Sequence, residues 1–173
     1  MRCSTTSFAV LLVAFGLAAC GGDDAAPAGG ASAAQSAAPA ATGEVPEIDP
    51  CALVSQAEIE QIVGMPVAAL APEPPTEAGT LTYYGCRSDD VHIDIEAWSN
   101  AEEARRSFEF GHQYPAVDGL GFPATNTQPL GDLYALAGQF VVSVDLFTNQ
   151  DQAAQLEAAK QLARRVVDRL PNP

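Results

Sequence analysis

Val91-His92-Ile93-Asp94-Ile95-Glu96-Ala97-Trp98 alternates apolar and other residues without a break. Successive side chains of a strand point to opposite faces, so Val91, Ile93, Ile95 and Ala97 share one face and His92, Asp94, Glu96 and Trp98 the other. That period describes a half-buried antiparallel strand, one side turned to a core. Just upstream, Thr80 to Cys86 is rich in Thr and Tyr and reads as a second strand, joined to the first by a turn at Arg87 to Asp90.

Helix punctuation flanks this pair. Ser55-Gln56-Ala57-Glu58 is a capping box, Val54 and Ile59 occupy the hydrophobic-staple positions, and Gly64 with Pro66 ends the short helix that Ile62 and Val63 continue. Pro66 to Gly79 is proline-rich and reads as irregular. On the other side, Ser99 or Asn100 can cap a helix with Ala101, Ala104 and Phe108 along one side and Glu102 and Glu103 in its first turn. His112 to Pro129 reads as loop with a short strand at Ala124 to Thr127. Asp132 to Ala137 and Gln139 to Phe147 form a hairpin about Gly138, with Phe140, Val142, Val144 and Leu146 on one face. Asn149 is expected to cap the last and longest helix, in which Leu156, Ala159, Ala163, Val166 and Leu170 recur at helical spacing before Pro171. The fold class is therefore α+β, an antiparallel sheet with helices packed on it.

Ahead of this domain the chain changes character. Arg2 precedes an apolar or small run from Phe8 to Ala19, which closes as Leu17-Ala18-Ala19-Cys20. The run is shorter than the ~20 apolar residues that span a bilayer, and Gly21-Gly22-Asp23-Asp24 follows at once, so it reads as a signal peptide and not a membrane helix. Gly21 to Ile48 is mostly Ala, Gly, Ser and Pro, too poor in apolar surface to fold, with a coil reach of about 30 Å. The expected organisation is residues 1–19 as signal peptide, 20–48 as Cys20 and a disordered tether, and 49–173 as the globular domain.

The closing tetrapeptide resembles bacterial lipoprotein signals. That resemblance implies that Cys20 is acylated on its thiol and becomes the mature N-terminus, tethering the protein to a bilayer from outside the cytoplasm. Gly21, by the same resemblance, is not an inner-membrane retention signal. The expected location is the cell membrane, or the outer membrane of a two-membrane source.

The chain carries 22 acidic against 8 Lys and Arg residues, a formal charge of −14. Nucleic acid and bare anionic lipid surfaces would be repelled, which removes both as partners. Of four cysteines, Cys3 belongs to the signal and Cys20 to the lipid, leaving Cys51 and Cys86. A disulfide is the simplest use of two extracytoplasmic cysteines, contributing roughly 3 to 4 kcal/mol for a loop of that size. A metal pair or redox dithiol is the alternative, without the usual C-x-x-C spacing.

Asp49-Pro50-Cys51-Ala52-Leu53-Val54-Ser55, then Glu58-Ile59 and Val63-Gly64-Met65-Pro66-Val67, resembles the opening of small bacterial lipoproteins, abundant in actinobacteria, that carry a domain of unknown function. Val117-Asp118-Gly119-Leu120-Gly121 with Ala124 resembles a second stretch of that group, although Phe122 stands where the group usually has Asp. The resemblance implies a PsbP-like α/β/α sandwich and a disulfide between Cys51 and Cys86. It implies no activity.

Candidate chemistry is sparse. Only two histidines occur, His92 and His112, and no nucleophile-elbow motif accompanies them. His92, Asp94 and Glu96 could present metal ligands from one strand face, but alternation alone produces such stripes and a solvated or covered face is the simpler account. Asp89-Asp90 lacks a calcium-loop pattern, and Trp98 with Tyr83, Tyr84 and Tyr114 could line a ligand groove or simply pack. No catalytic residue, metal site or cofactor is assigned. The expected function is a non-catalytic envelope lipoprotein that binds an envelope protein or a small apolar ligand. A structural or stress-protective role is the alternative, and a hydrolase or metal-dependent enzyme a more distant one.

Overall fold

The structure, a computed structural model, describes residues 45–127 and 131–171; the expected signal peptide, Cys20 and most of the expected tether lie outside them. Helices α1 (Pro50–Leu53) and α2 (Gln56–Val63) lead into strands β1 (Ala71–Pro72), β2 (Thr76–Ala78), β3 (Leu81–Arg87) and β4 (Val91–Trp98). Helix α3 (Ala101–Gly111) follows, then β5 (Ala124–Thr127), β6 (Asp132–Ala137), β7 (Phe140–Leu146) and the long helix α4 (Gln152–Val167). All strands pair antiparallel in the order β1-β3-β4-β7-β6-β5, with β2 also on β3. The alternating strand β4 is central, its Ile93 and Ile95 opposite Val144 and Val142 of β7.

The alternation sorts side chains as the sequence predicts. Val91, Ile93, Ile95 and Ala97 join Leu133, Ala135, Phe140, Val142 and Val144 in one apolar core, closed by Val54, Ile59 and Val63 near α2 and by Ala159, Leu162, Ala163 and Val166 of α4. This inner face holds most of the burial. Helix α3 takes the opposite, outer face: its buried Ala104 and Phe108 stand outside that core, and Phe108 reaches Tyr134 on the outer side of β6 through the ring of His112. Helices thus cover both faces of one α+β sheet, the inner face fully and the outer face in part.

Local signals explain the helix ends. In α2 the capping box is complete, with Ser55 Oγ accepting from the Glu58 amide and Glu58 Oε2 accepting from the Ser55 amide at 3.0 Å. Gly64 ends it in the left-handed region at φ 76°, where a side chain would be strained. The Asp-Pro-Cys opening forms α1, a single turn that composition does not reveal. Asp49 caps it by accepting from the Cys51 amide at 3.0 Å, and Pro50 fills the first turn, where no amide is needed.

Cys51 and Cys86 are joined by a disulfide, their Cα atoms 5.3 Å apart. It fastens α1 to the inner side of β3, where Cys86 is fully buried. A salt bridge closes the same corner: Arg169, just past α4, donates to the Leu53 carbonyl at 2.6 Å and to Glu58 Oε1 at 2.6 Å. The Arg169 guanidinium and the capping contacts from Ser55 hold the Glu58 carboxyl well below the usual carboxylate range.

Three expectations change. The packed chain begins before Asp49, since Ile48 is 6% exposed, Val45 packs on the core, and Tyr84 donates its hydroxyl to the Pro46 carbonyl at 3.1 Å. Two apolar residues in four suffice there because the inner face of β3 is ready to receive them. Asn149 does not cap α4. Asp151 does, accepting from the Ala154 amide at 2.9 Å, and its carboxylate also suits the positive end of the helix dipole. Finally, the proline-rich stretch contains β1 and β2, short edge strands on β3 where proline is tolerated because the outer amide side is unpaired.

Candidate functional site

The polar set of the opening strand lies on the outer face beside matching columns of its neighbours. Across the sheet, Tyr83 of β3 stands opposite Glu96 of β4, and Glu96 opposite Val141 of β7; one row on, Gly85, Asp94, Ser143 and Tyr134 follow in line. With neighbouring strands ~4.8 Å apart, the row from Gly85 to Tyr134 spans about 14 Å. Between these rows and the segment carrying Glu73, Pro74 and Thr76 lies an open groove of about 420 Å³. Helix α3 leaves this part of the face uncovered.

The floor is shaped by what is missing at Gly85. A β-carbon there would meet Glu73 Oε2 at 2.7 Å and Asp94 Oδ1 at 3.0 Å. Glycine lets both carboxylates lean in to Arg87, whose Nε lies 3.2 Å from Glu73 Oε2 and whose Nη2 lies 3.1 Å from Asp94 Oδ2. Among the described residues Arg87 is the one cation lining the groove, and it is committed to two carboxylates. Glu96 is different: it accepts from the indole Nε1 of Trp98 at 3.2 Å, a neutral donor. Burial pushes its carboxyl above the ordinary range, against the lowering effect of that hydrogen bond.

Tyrosines wall the groove. Tyr83 is 42% exposed, and burial followed by the charge of Glu96 raises its hydroxyl. Tyr134 stacks on His112 with ring centroids 4.0 Å apart and on Tyr114 at 6.3 Å. Its hydroxyl is pushed up to about 12, first by burial and then by Asp145 and Asp132. Asp145 lies on the outer face one row beyond Ser143, opposite His92. Burial, reinforced by Asp132 and Asp94 and opposed by Arg87, pushes its carboxyl up to about 7. Its buried Oδ1 has no hydrogen-bond partner among the described residues.

The three polar residues of the stripe, for which a solvated or covered face is the simpler reading, do not converge. His92 packs on Phe147 with centroids 4.7 Å apart, Asp94 binds Arg87 and Glu96 binds Trp98, so the three side chains serve different partners. Among the described residues no three His, Cys, Asp or Glu side chains gather around one point suited to a metal. His112 is the stacked partner of Tyr134, and its burial lowers its affinity for a proton. Of the aromatic set weighed from sequence, Tyr83 lines the groove, Trp98 orients Glu96, Tyr114 supports Tyr134, and the Tyr84 ring turns to the inner core. Sequence reasoning missed Gly85, Arg87, Ser143 and Tyr134. The signal for them was available only by laying the two hairpins side by side, because no single strand carries it.

The chain matches no protein-family model, no curated protein and no solved structure.

Proposed function

We propose that this is a lipid-anchored, non-catalytic binding domain of a bacterial envelope, tethered through acylated Cys20 and receiving its ligand in the outer-face groove. The anchor rests on the Leu17-Ala18-Ala19-Cys20 signal, and the opening motif that resembles small envelope lipoproteins is compatible with it. The observation that carries the binding role is the groove itself. It is large enough for a small molecule, open to solvent, and floored by four strands, β3, β4, β7 and β6, of a sheet whose other face is packed. The residues lining it include hydroxyls and carboxylates but neither histidine. The disulfide and the Arg169–Glu58 bridge stiffen the inner side of the same sheet.

Two measurements test the proposal. Cys20→Ser should move the protein from the membrane pellet to the soluble fraction of the same cells; unchanged pelleting would overturn the anchor. Native mass spectrometry of the full chain purified from membranes should show a bound ligand that Ser143→Trp, which fills the groove, removes while the thermal melt is preserved. A ligand retained by the filled variant, or none in either protein, would overturn the groove as the binding site.

A further inference from the structure

The groove is acidic, aromatic and short of positive charge. Among the described residues its lining carries Glu73, Asp94 and Glu96 against Arg87 alone, and Arg87 already spans Glu73 and Asp94. Glu96 is left with the Trp98 indole as a neutral partner, half-buried at the centre of the row between Tyr83 and Val141. A desolvated carboxylate in this position gains more from a cation than one in water does, because the low local dielectric strengthens the pairing. The exposed ring of Tyr83 offers a negative face, Tyr134, stacked on His112, borders the groove on the far side, and Val141 offers an apolar floor. An anionic ligand meets three carboxylates and a neutralised arginine.

We propose that the groove binds a small organic cation, its ammonium group seated on Glu96 and its carbon skeleton held between Tyr83 and Tyr134. This rests on the groove being the ligand site. The volume of about 420 Å³ suits a small molecule. Asp132 at the start of β6 and the chain's formal charge of −14 extend the same field outward and draw cations toward the face. Loading the site would also lower the Glu96 carboxyl toward its ordinary range.

The chain contains a single tryptophan, and its indole hydrogen bonds to the carboxylate in question, so Trp98 emission reports directly on Glu96. The full chain in detergent micelles is titrated with benzyltrimethylammonium, with neutral benzyl alcohol and with anionic benzoate, each followed by Trp98 emission and by calorimetry. The cation should bind at least tenfold more tightly than the alcohol, and benzoate should not bind. Glu96→Gln should weaken the cation roughly tenfold, and Tyr83→Leu several-fold, each with an unchanged melt. Because Tyr83 is surface-exposed, its variant keeps the test valid even if Glu96→Gln fails to fold. Equal binding of cation and alcohol, or binding of benzoate, would overturn the cation inference while leaving the groove as a binding site. If none of the three probes changes Trp98 emission or releases heat, both fall.

Discussion

The two faces of this sheet are built from the same strands yet do opposite things. On the inner face Ile93, Ile95, Leu133, Phe140, Val142 and Val144 are fully buried beneath α2 and α4. On the outer face the intervening positions hold Asp94, Glu96, Ser143, Asp145 and Tyr134, covered by α3 only at one end. Burial of apolar area stabilises by roughly 25 cal/mol per Å², whereas a partly desolvated carboxyl without a strong partner destabilises. The lesson is a division of labour. One face supplies stability in surplus, and the other can then hold Glu96 and Asp145 in environments that raise their proton affinity.

The comparison breaks most visibly at Phe140 and Tyr83. Phe140→Ala opens a cavity in the fully packed face and should lower unfolding free energy by about 3–5 kcal/mol, read by urea titration. Tyr83→Leu on the outer face should stay within about 1 kcal/mol. Similar losses at both positions would mean that the outer face is part of the core. Next in size is the disulfide. Replacing both Cys51 and Cys86 by Ala frees α1 from the inner face and should remove about 3–4 kcal/mol, visible as a lower melting temperature for the double variant under oxidising conditions.

Much of the inner face is legible in the sequence, and the outer face is less so. Val91 to Ala97 and Phe140 to Leu146 declare their buried side because alternation is a property of one strand. The capping box at Ser55 and the stop at Gly64 are equally local. By contrast, the groove depends on the pairing of β4 with β7, a register between segments far apart in the chain. Nothing local places Ser143 beside Asp94, or tells that Gly85 is glycine to admit two carboxylates. The cap of α4 shows the limit at short range: Asn149 and Asp151 are both capping residues, and backbone geometry chooses the second.

The third prediction sharpens the contrast through pH. Asp145 has its carboxyl pushed up to about 7, so the folded state holds its proton more tightly than the unfolded chain, where an ordinary aspartate titrates near 3.9. Its contribution to stability is complete below about pH 4 and is lost as pH rises through 7. Asp145→Asn removes the penalty, so at pH 8 the variant should be more stable than the parent by about 1–2 kcal/mol once solvent screening is allowed for. At pH 4 the difference should vanish. Glu58, held low by Arg169, works in the other direction on acidification, but both proteins carry it and the difference between them isolates Asp145. An equal gain at both pH values would mean that packing, and not charge, separates the two proteins.

At Gly85, as at Tyr83, the effect on stability is small, and the effect on the groove discriminates between the faces. An alanine there meets the tip of Glu73 at 2.7 Å and an oxygen of Asp94 at 3.0 Å. Glu73 is an exposed, flexible side chain and can swing out, and Asp94 needs to yield only a few tenths of an ångström, so Gly85→Ala should cost no more than about 1 kcal/mol. What changes is the groove. With Glu73 displaced, Arg87 loses one of its two carboxylates and its charge turns toward the groove, where it competes with an incoming cation for Asp94 and Glu96. Benzyltrimethylammonium affinity, followed by Trp98 emission, should therefore fall several-fold while the melt scarcely moves. A loss of 3 kcal/mol or more with unchanged affinity would reverse the assignment, making Gly85 a packing residue of the fold.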